Sequence, residues 1–209
     1  HVSGRLAAKA FASPVDYAHV VSFTTHKTLA GPRGAVLMTA DRKIGKKLDR
    51  AVFPGEQGGP HVNAIAGMAV AFKLAGTEQF RALQHQIIAN AQQLAACLSD
   101  RGLRIPYGGT DTHLLLVDCK SVTGADGTPL SGDMGARILD LAGIVCNRNT
   151  IPGDTSPFRA TGLRLGTPWI TQRGFREPEI ERLADIMAGL LHACTPFSYT
   201  GKGGSAQWR

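Results

Sequence analysis

Val20-Val21-Ser22-Phe23 runs into Thr24-Thr25-His26-Lys27-Thr28-Leu29, and Gly31-Pro32-Arg33-Gly34 leads straight into a second apolar run, Ala35-Val36-Leu37-Met38. Short apolar runs bounded by polar and glycine-proline segments predict two buried strands, 20–23 and 34–38, separated by a loop from Thr24 to Arg33. That loop gathers hydroxyls, a histidine and one lysine. A lysine at the end of a buried strand can lose its charge by desolvation and become a nucleophilic amine, while flanking hydroxyls bind a phosphate or phenolate. This is the layout of a lysine that carries pyridoxal phosphate. From composition alone, a polar loop with an ordinary surface lysine is the commoner arrangement.

Outward from this segment, residues 62–75 are alanine-rich and apolar almost all round, which predicts a buried helix. Phe80, Leu83, Ile87, Ala91, Leu94 and Leu98 then recur every three or four residues, a helix that Thr77 can cap and Gly102 can end. Shorter units follow: a strand from His113 to Asp118, a helix from Asp133 to Ala142 between a Ser131 cap and a Gly143 stop, and strands Ile144–Cys146 and Leu163–Leu165. A final helix starts near Pro178, with Ile180, Leu183, Met187 and Leu190 on one face. Helices alternate with strands, so the class is α/β or α+β. A boundary is expected near residue 79, giving domains 1–79 and 80–209, with the tail Thr195–Arg209 lying along the surface.

The composition narrows the function. The chain has 209 residues, 43% hydrophobic and 19% charged, enough for real cores and unlike a disordered chain. No run approaches the roughly 20 apolar residues of a membrane-spanning helix, and no signal-peptide pattern opens the chain, so the expected location is the cytoplasm. The four cysteines form no Cys-x-x-Cys pair and read as reduced packing residues. The charge of +7 comes from scattered basic residues, densest from Arg42 to Lys47, and only 6% of residues are aromatic, which argues against nucleic acid. His19, His61, His85, His113 and His192 follow no metal-ligand spacing, so no metal is expected.

Three further segments have chemistry of their own. Phe53 to Pro60 is a turn-rich loop whose successive N–H groups can form an anion nest around Gly58 and Gly59, though an ordinary glycine loop is the commoner case. Arg164 lies between Leu163 and Leu165 and therefore faces away from two buried leucines, where its guanidinium can grip a carboxylate in two parallel bonds or sit in a surface ion pair. Asn149-Thr150-Ile151-Pro152 and Ser156-Pro157-Phe158 expose amide, hydroxyl and aromatic groups suited to a flat polar heterocycle.

Together these strings resemble serine hydroxymethyltransferase, a pyridoxal-phosphate enzyme of fold type I. THKTLAGPRGA at 25–35 is similar to its active-site lysine segment, and four strings follow in the family's order: AVFPGEQGGP at 51–60, GGTDTHLLLVD at 108–118, CNRNTIPGDTSPF at 146–158 and GLRLGTPWITQRGF at 162–175. The resemblance implies the C-terminal part of the large domain plus the small C-terminal α/β domain. It implies that Lys27 carries pyridoxal 5'-phosphate, that His1 contacts its phenolic oxygen, and that Thr24 and Thr25 offer hydroxyls to it. His26 tunes the site and Arg33 supports the loop. Gly58 and Gly59 would reach the cofactor phosphate of a neighbouring subunit, in a homodimer or a tetramer of dimers.

By the same resemblance Arg164 binds the amino-acid carboxylate, and Asn149, Ser156, Pro157 and Phe158 contact tetrahydrofolate. The implied reaction is reversible transfer of a one-carbon unit between serine and tetrahydrofolate, giving glycine and 5,10-methylenetetrahydrofolate. His61-Val62-Asn63 departs from the family's usual Leu-Met-His, and Arg148 replaces a lysine. The resemblance also implies that roughly half of such a protein lies upstream of His1, including the aspartate that pairs with the pyridine nitrogen. Two alternatives stay open: a related α-methylserine hydroxymethyltransferase or β-hydroxy amino acid aldolase, or a non-catalytic half chain that needs its N-terminal part.

Overall fold

The computed structural model describes residues 1–200 and 206–208, with Tyr199, Thr200 and 206–208 described by their backbone alone. The chain divides into two compact units, His1–His85 and Gln86–Arg209. It is mixed α/β, and its strand pairs are antiparallel.

In the first unit, helix α1 (Ser3–Ala7) precedes a hairpin of β1 (Val21–Thr24) and β2 (Ala35–Met38). The register pairs Val21 with Met38 and Thr24 with Ala35, so residues 25–34 form the hairpin loop. Helix α2 (Arg42–Arg50) follows, opened by Asp41, whose carboxylate accepts from the amides of Lys43 at 2.6 Å and Ile44 at 3.1 Å. After a kinked stretch, Ala51–Glu56, comes α3 (Val62–Ala75). A small core joins Leu29, Ala75 and Phe80, with Phe23 packed against it.

Helix α4 (Glu78–Asp100) contains the division between the units. Thr77 caps it, its hydroxyl accepting from the Phe80 amide at 3.3 Å. Gly102 ends it at φ +83, a left-handed backbone that costs glycine no Cβ clash.

The second unit is built on a three-stranded sheet: β3 (Leu114–Asp118), then β4 (Asn147–Asn149) and β5 (Gly162–Gly166), with β5 in the middle. Helix α5 (Gly132–Leu141) lies between β3 and β4 in sequence, capped by Ser131 on the Met134 amide at 3.2 Å. Helices α6 (Pro168–Gln172) and α7 (Glu177–His192) follow β5, and a hairpin of β6 (Ser198–Thr200) and β7 (Ala206–Trp208) ends the unit. Leu94 and Leu98 of α4, Leu115 and Val117 of β3, Leu163 and Leu165 of β5, and Ile180, Met187 and Leu191 of α7 share one core. Fully buried Asn90 locks α4 to α6 and the stretch that follows it by donating to Thr171 Oγ1 at 2.8 Å and the Phe175 carbonyl at 3.0 Å.

Several expectations are corrected. The strands at 20–23 and 34–38 form, shifted by one residue at their starts, but they are not buried: Leu37 and Met38 are exposed. Helix 62–75 forms, yet only Ala71 and Ala75 are buried, while Val62, Ile65, Val70, Phe72 and Leu74 are exposed. Apolar composition predicts a buried element only where another element covers it, and this hairpin is a two-stranded sheet. The strand expected at Ile144–Cys146 forms instead at Asn147–Asn149, because those residues are the ones that pair with Gly162–Arg164. The expected surface path of the tail falls partly on 201–205 and Arg209, which lie outside the described residues. Among the described residues, no helix is long and apolar enough to cross a membrane.

Candidate active site

His1, Thr24, Thr25, His26, Lys27, Gly58 and Gly59 belong to the first unit; Asn149, Ser156, Pro157, Phe158 and Arg164 belong to the second. Thr24 is the last residue of β1, and the hairpin loop carries the next three. The loop is tied by the Thr25 amide to the Gly34 carbonyl (3.1 Å), the Gly31 amide to the Thr25 carbonyl (2.8 Å) and the Ala30 amide to the Lys27 carbonyl (2.9 Å). Thr25 is fully buried, and its hydroxyl donates to the Pro32 carbonyl at 2.6 Å. It therefore braces the turn from inside.

Lys27 projects from this braced turn and is exposed, so the desolvation expected from a buried strand end is not found. Its neighbours behave otherwise. Thr24 Oγ1 and His26 Nδ1 are both withdrawn from water, and neither has a hydrogen-bond partner among the described residues. Stranding a buried polar atom costs about 1–3 kcal/mol, so two of them within three residues of a lysine need an account. A ligand that accepts from the threonine and bonds the imidazole would complete both. Pyridoxal phosphate, with its phosphate and phenolic oxygens, has the groups to do so, and these residues fit it.

Thr28 is the functional neighbour that sequence reasoning missed. At 3% exposure its hydroxyl accepts from the Gly4 amide at 2.9 Å and donates to the His1 carbonyl at 2.6 Å. Its own carbonyl accepts from Gln84 Nε2 at 3.0 Å. Ser3 adds a bond from its hydroxyl to the Thr24 carbonyl at 3.3 Å. His1 is thereby anchored beside the lysine turn through its backbone, while its side chain is exposed. Gly4 permits this contact, since a Cβ there would collide with the Thr28 carbonyl oxygen. The only advance signal was the Thr-His-Lys-Thr string itself, which put a second hydroxyl on the far side of the lysine.

Gly58 and Gly59 lie in an exposed loop, and a Cβ added to either would meet nothing within 4 Å. Successive amides in such an exposed glycine loop can take an incoming anion.

In the second unit Arg164 sits in the central strand, opposite Leu116 on one side and Asn147 on the other. Leu163 and Leu165 are buried as the alternation predicts, and Arg164 is half-buried on the other face. The position is central, not an edge. Its guanidinium makes a long bond, Nη2 donating to Asn147 Oδ1 at 3.4 Å, and among the described residues it makes no ion pair. A half-buried guanidinium in that condition is suited to an incoming carboxylate.

Asn149 is a strand residue, its side-chain amide donating to the Thr150 carbonyl at 2.7 Å. Ser156 Oγ accepts from the Phe158 amide at 3.2 Å and caps a single helical turn, Pro157–Arg159, which leaves Phe158 85% exposed. An aromatic face held out by a capped turn is a stacking surface for a planar ligand. Among the described residues there is no cluster of three or more His, Cys, Asp or Glu for a metal ion.

Comparison with known proteins gives this arrangement a family. A family model for serine hydroxymethyltransferase matches residues 1–187, a span that covers the lysine turn, the glycine loop, the Asn149–Phe158 segment and Arg164. The chain is 47% identical over 195 residues to a serine hydroxymethyltransferase of Rickettsia canadensis (strain McKiel), covering 93% of this chain and 45% of that protein. It is 46% identical over 192 residues to that of Rickettsia akari (strain Hartford), covering 91% of this chain and 44% of that protein. The chain therefore spans about half the length of the curated relatives it matches. With every candidate group inside the matched span, the chain belongs to the serine hydroxymethyltransferase family.

Proposed function

We propose that this chain supplies the lysine, carboxylate-binding and folate-facing groups of an enzyme that moves a one-carbon unit reversibly between serine and tetrahydrofolate, giving glycine and 5,10-methylenetetrahydrofolate. The observation that carries the reading is the pair of buried atoms, Thr24 Oγ1 and His26 Nδ1, that have no hydrogen-bond partner among the described residues and lie just ahead of Lys27 in the turn that presents it. Family membership adds that pyridoxal phosphate is the group to fill the gap.

Lys27 would hold the cofactor through its Nζ, and Thr24 would donate its hydroxyl to it. Bound there, pyridoxal phosphate supplies the electron sink that makes the Cα–Cβ bond of serine breakable. His26, its Nδ1 free of protein partners, is placed to hold or move a proton at that atom. Thr25 and Thr28 keep the turn in shape, and His1 is set beside it by the Thr28 hydroxyl. Gly58 and Gly59 offer amides to a cofactor phosphate, in our reading that of a neighbouring subunit.

Arg164 would take the substrate carboxylate in a bidentate grip, which fixes rotation about Cα and aligns the bond to be broken. Asn149 and Ser156 to Phe158 would bind tetrahydrofolate, with Phe158 stacking on the pterin. The exposed apolar residues of α3 support an assembly of at least two subunits with an upstream segment of chain. Fold type I is the corresponding architecture. Four free thiols suit the reducing cytoplasm.

The test is borohydride reduction after adding pyridoxal phosphate, with peptide mapping of the label, on this chain and on one extended upstream. Label on Lys27 is expected. Label on another lysine, or none with either protein, would remove Lys27 from its role.

A further inference from the structure

The loop that presents Ser156–Phe158 is closed at its neck by one carboxylate. Asp154 Oδ2 accepts from the amides of Ile151 (3.1 Å) and Thr161 (2.9 Å), and its Oδ1 accepts from the Thr161 hydroxyl (2.6 Å). The side chain is only 3% exposed. Burial pushes this carboxyl up, but the hydrogen bonds from Thr161 and Ile151 and the charge of Lys120 outweigh it and hold it below the usual aspartate value.

Lys120 ties that neck to the sheet. Its ammonium donates to Thr161 Oγ1 at 2.8 Å and lies 3.6 Å from Asp154 Oδ1 and 3.5 Å from Asp118 Oδ1. Asp118 is the last residue of β3, buried at 2% side-chain exposure, paired with Arg104 and accepting from the Lys120 amide at 2.9 Å. Two buried carboxylates and two cations thus form one connected set, with every short contact between opposite charges or to hydroxyl and amide donors.

The geometry decides what this set acts on. Asn149 faces Gly162 in the β4–β5 register, so Asp154's two amide partners, Ile151 and Thr161, close the chain just beyond that pair. Between them rises the turn that holds Phe158 outward. We propose that Asp154, held in place by Lys120 and Thr161, is a positioning residue that fixes Asn149 and Ser156–Phe158 as one binding surface, and so sets affinity for the flat pterin-like heterocycle without acting on the amino acid. This rests on the folate assignment made above.

The test uses the complete protein with Asp154→Asn, which places an amide N–H where a backbone donor now points. Exchange protection at the Ile151 and Thr161 amides should fall about tenfold or more. The KM for tetrahydrofolate should rise about tenfold, the loss expected when one charged hydrogen bond of ordinary strength goes. The KM for serine and the folate-independent cleavage of a β-hydroxy amino acid should not move. Thr161→Val removes only the hydroxyl and covers the case in which Asp154→Asn does not fold; it should shift the same two readouts in the same direction. Lys120→Arg should retain what Lys120→Met loses. Unchanged protection overturns the clamp. Lost protection with an unmoved folate KM, or with serine KM moving equally, overturns the positioning role. A wild-type protein whose turnover ignores folate overturns the assignment of the loop, and is told apart because the exchange result stands by itself.

Discussion

Replacing Thr24 by valine should move two observables in opposite directions. In the cofactor-free protein the Thr24 hydroxyl is buried and unpartnered, so it contributes a desolvation cost of about 1–3 kcal/mol and no hydrogen bond in return. Valine has the same shape and puts a methyl in that place. It also suits a strand end, since Thr24 closes β1 opposite Ala35. The cofactor-free protein should therefore become more stable by about 1–2 kcal/mol, seen as a higher urea midpoint at unchanged slope. With pyridoxal phosphate the sign reverses. The hydroxyl that would have donated to the cofactor is gone, and affinity should fall about tenfold, measured by titrating the visible absorption band. Wild type gains about 2.7 kcal/mol at a ligand concentration a hundred times its Kd, and the variant about 1.4 kcal/mol at that same concentration. A variant that is less stable without cofactor, or equally tight with it, would refute the idea that this hydroxyl waits for a ligand.

Thr28→Val should cost about 2 kcal/mol, because the buried Gly4 amide loses its acceptor, with faster exchange at that amide as the direct readout. Arg164→Lys should raise the KM for serine about tenfold or more while leaving borohydride labelling of Lys27 intact, since an ammonium cannot reproduce a two-bond grip. Burial pushes the Cys119 thiol up to about 12 and the Cys146 thiol up to about 11. Both should resist alkylation by iodoacetamide at pH 8 in the folded protein and react once it is unfolded. The folded state holds these protons after the unfolded chain has released them, so stability should fall as pH rises from about 9 towards 12.

What could be read from the sequence follows a physical division. Helix α4 was legible because its contacts repeat every three or four residues and its ends are local: a Thr77 hydroxyl three residues from the amide it caps, and a glycine at φ +83. Helix α5 announced itself through Ser131 in the same way. Helix α2 escaped, although Asp41 caps it, because Arg42, Lys43, Lys46, Lys47 and Arg50 swamp an apolar face of only Ile44 and Leu48. Strand β4 was misplaced because its position is set by pairing with β5, a partner more than a dozen residues away, and not by its own polar sequence.

The same division runs through the candidate site. Lys27, Arg164 and the Ser156–Phe158 turn stood out because their residue types suit the chemistry. Thr28 and Asp154 did not, since a threonine or an aspartate in a loop looks like ordinary surface polarity until its partners are known. Those partners lie 24 and 27 residues away for Thr28, and for Asp154 they include a lysine on another element. Groups that meet the substrate can thus be sought by chemistry along the chain. Groups that hold them in place are defined by what folding brings beside them, and buried polar atoms are where to look: bonded ones, as in Asp154, mark a rigid support, and unpartnered ones next to a reactive group, as in Thr24 and His26 beside Lys27, mark where a ligand can complete the bonding.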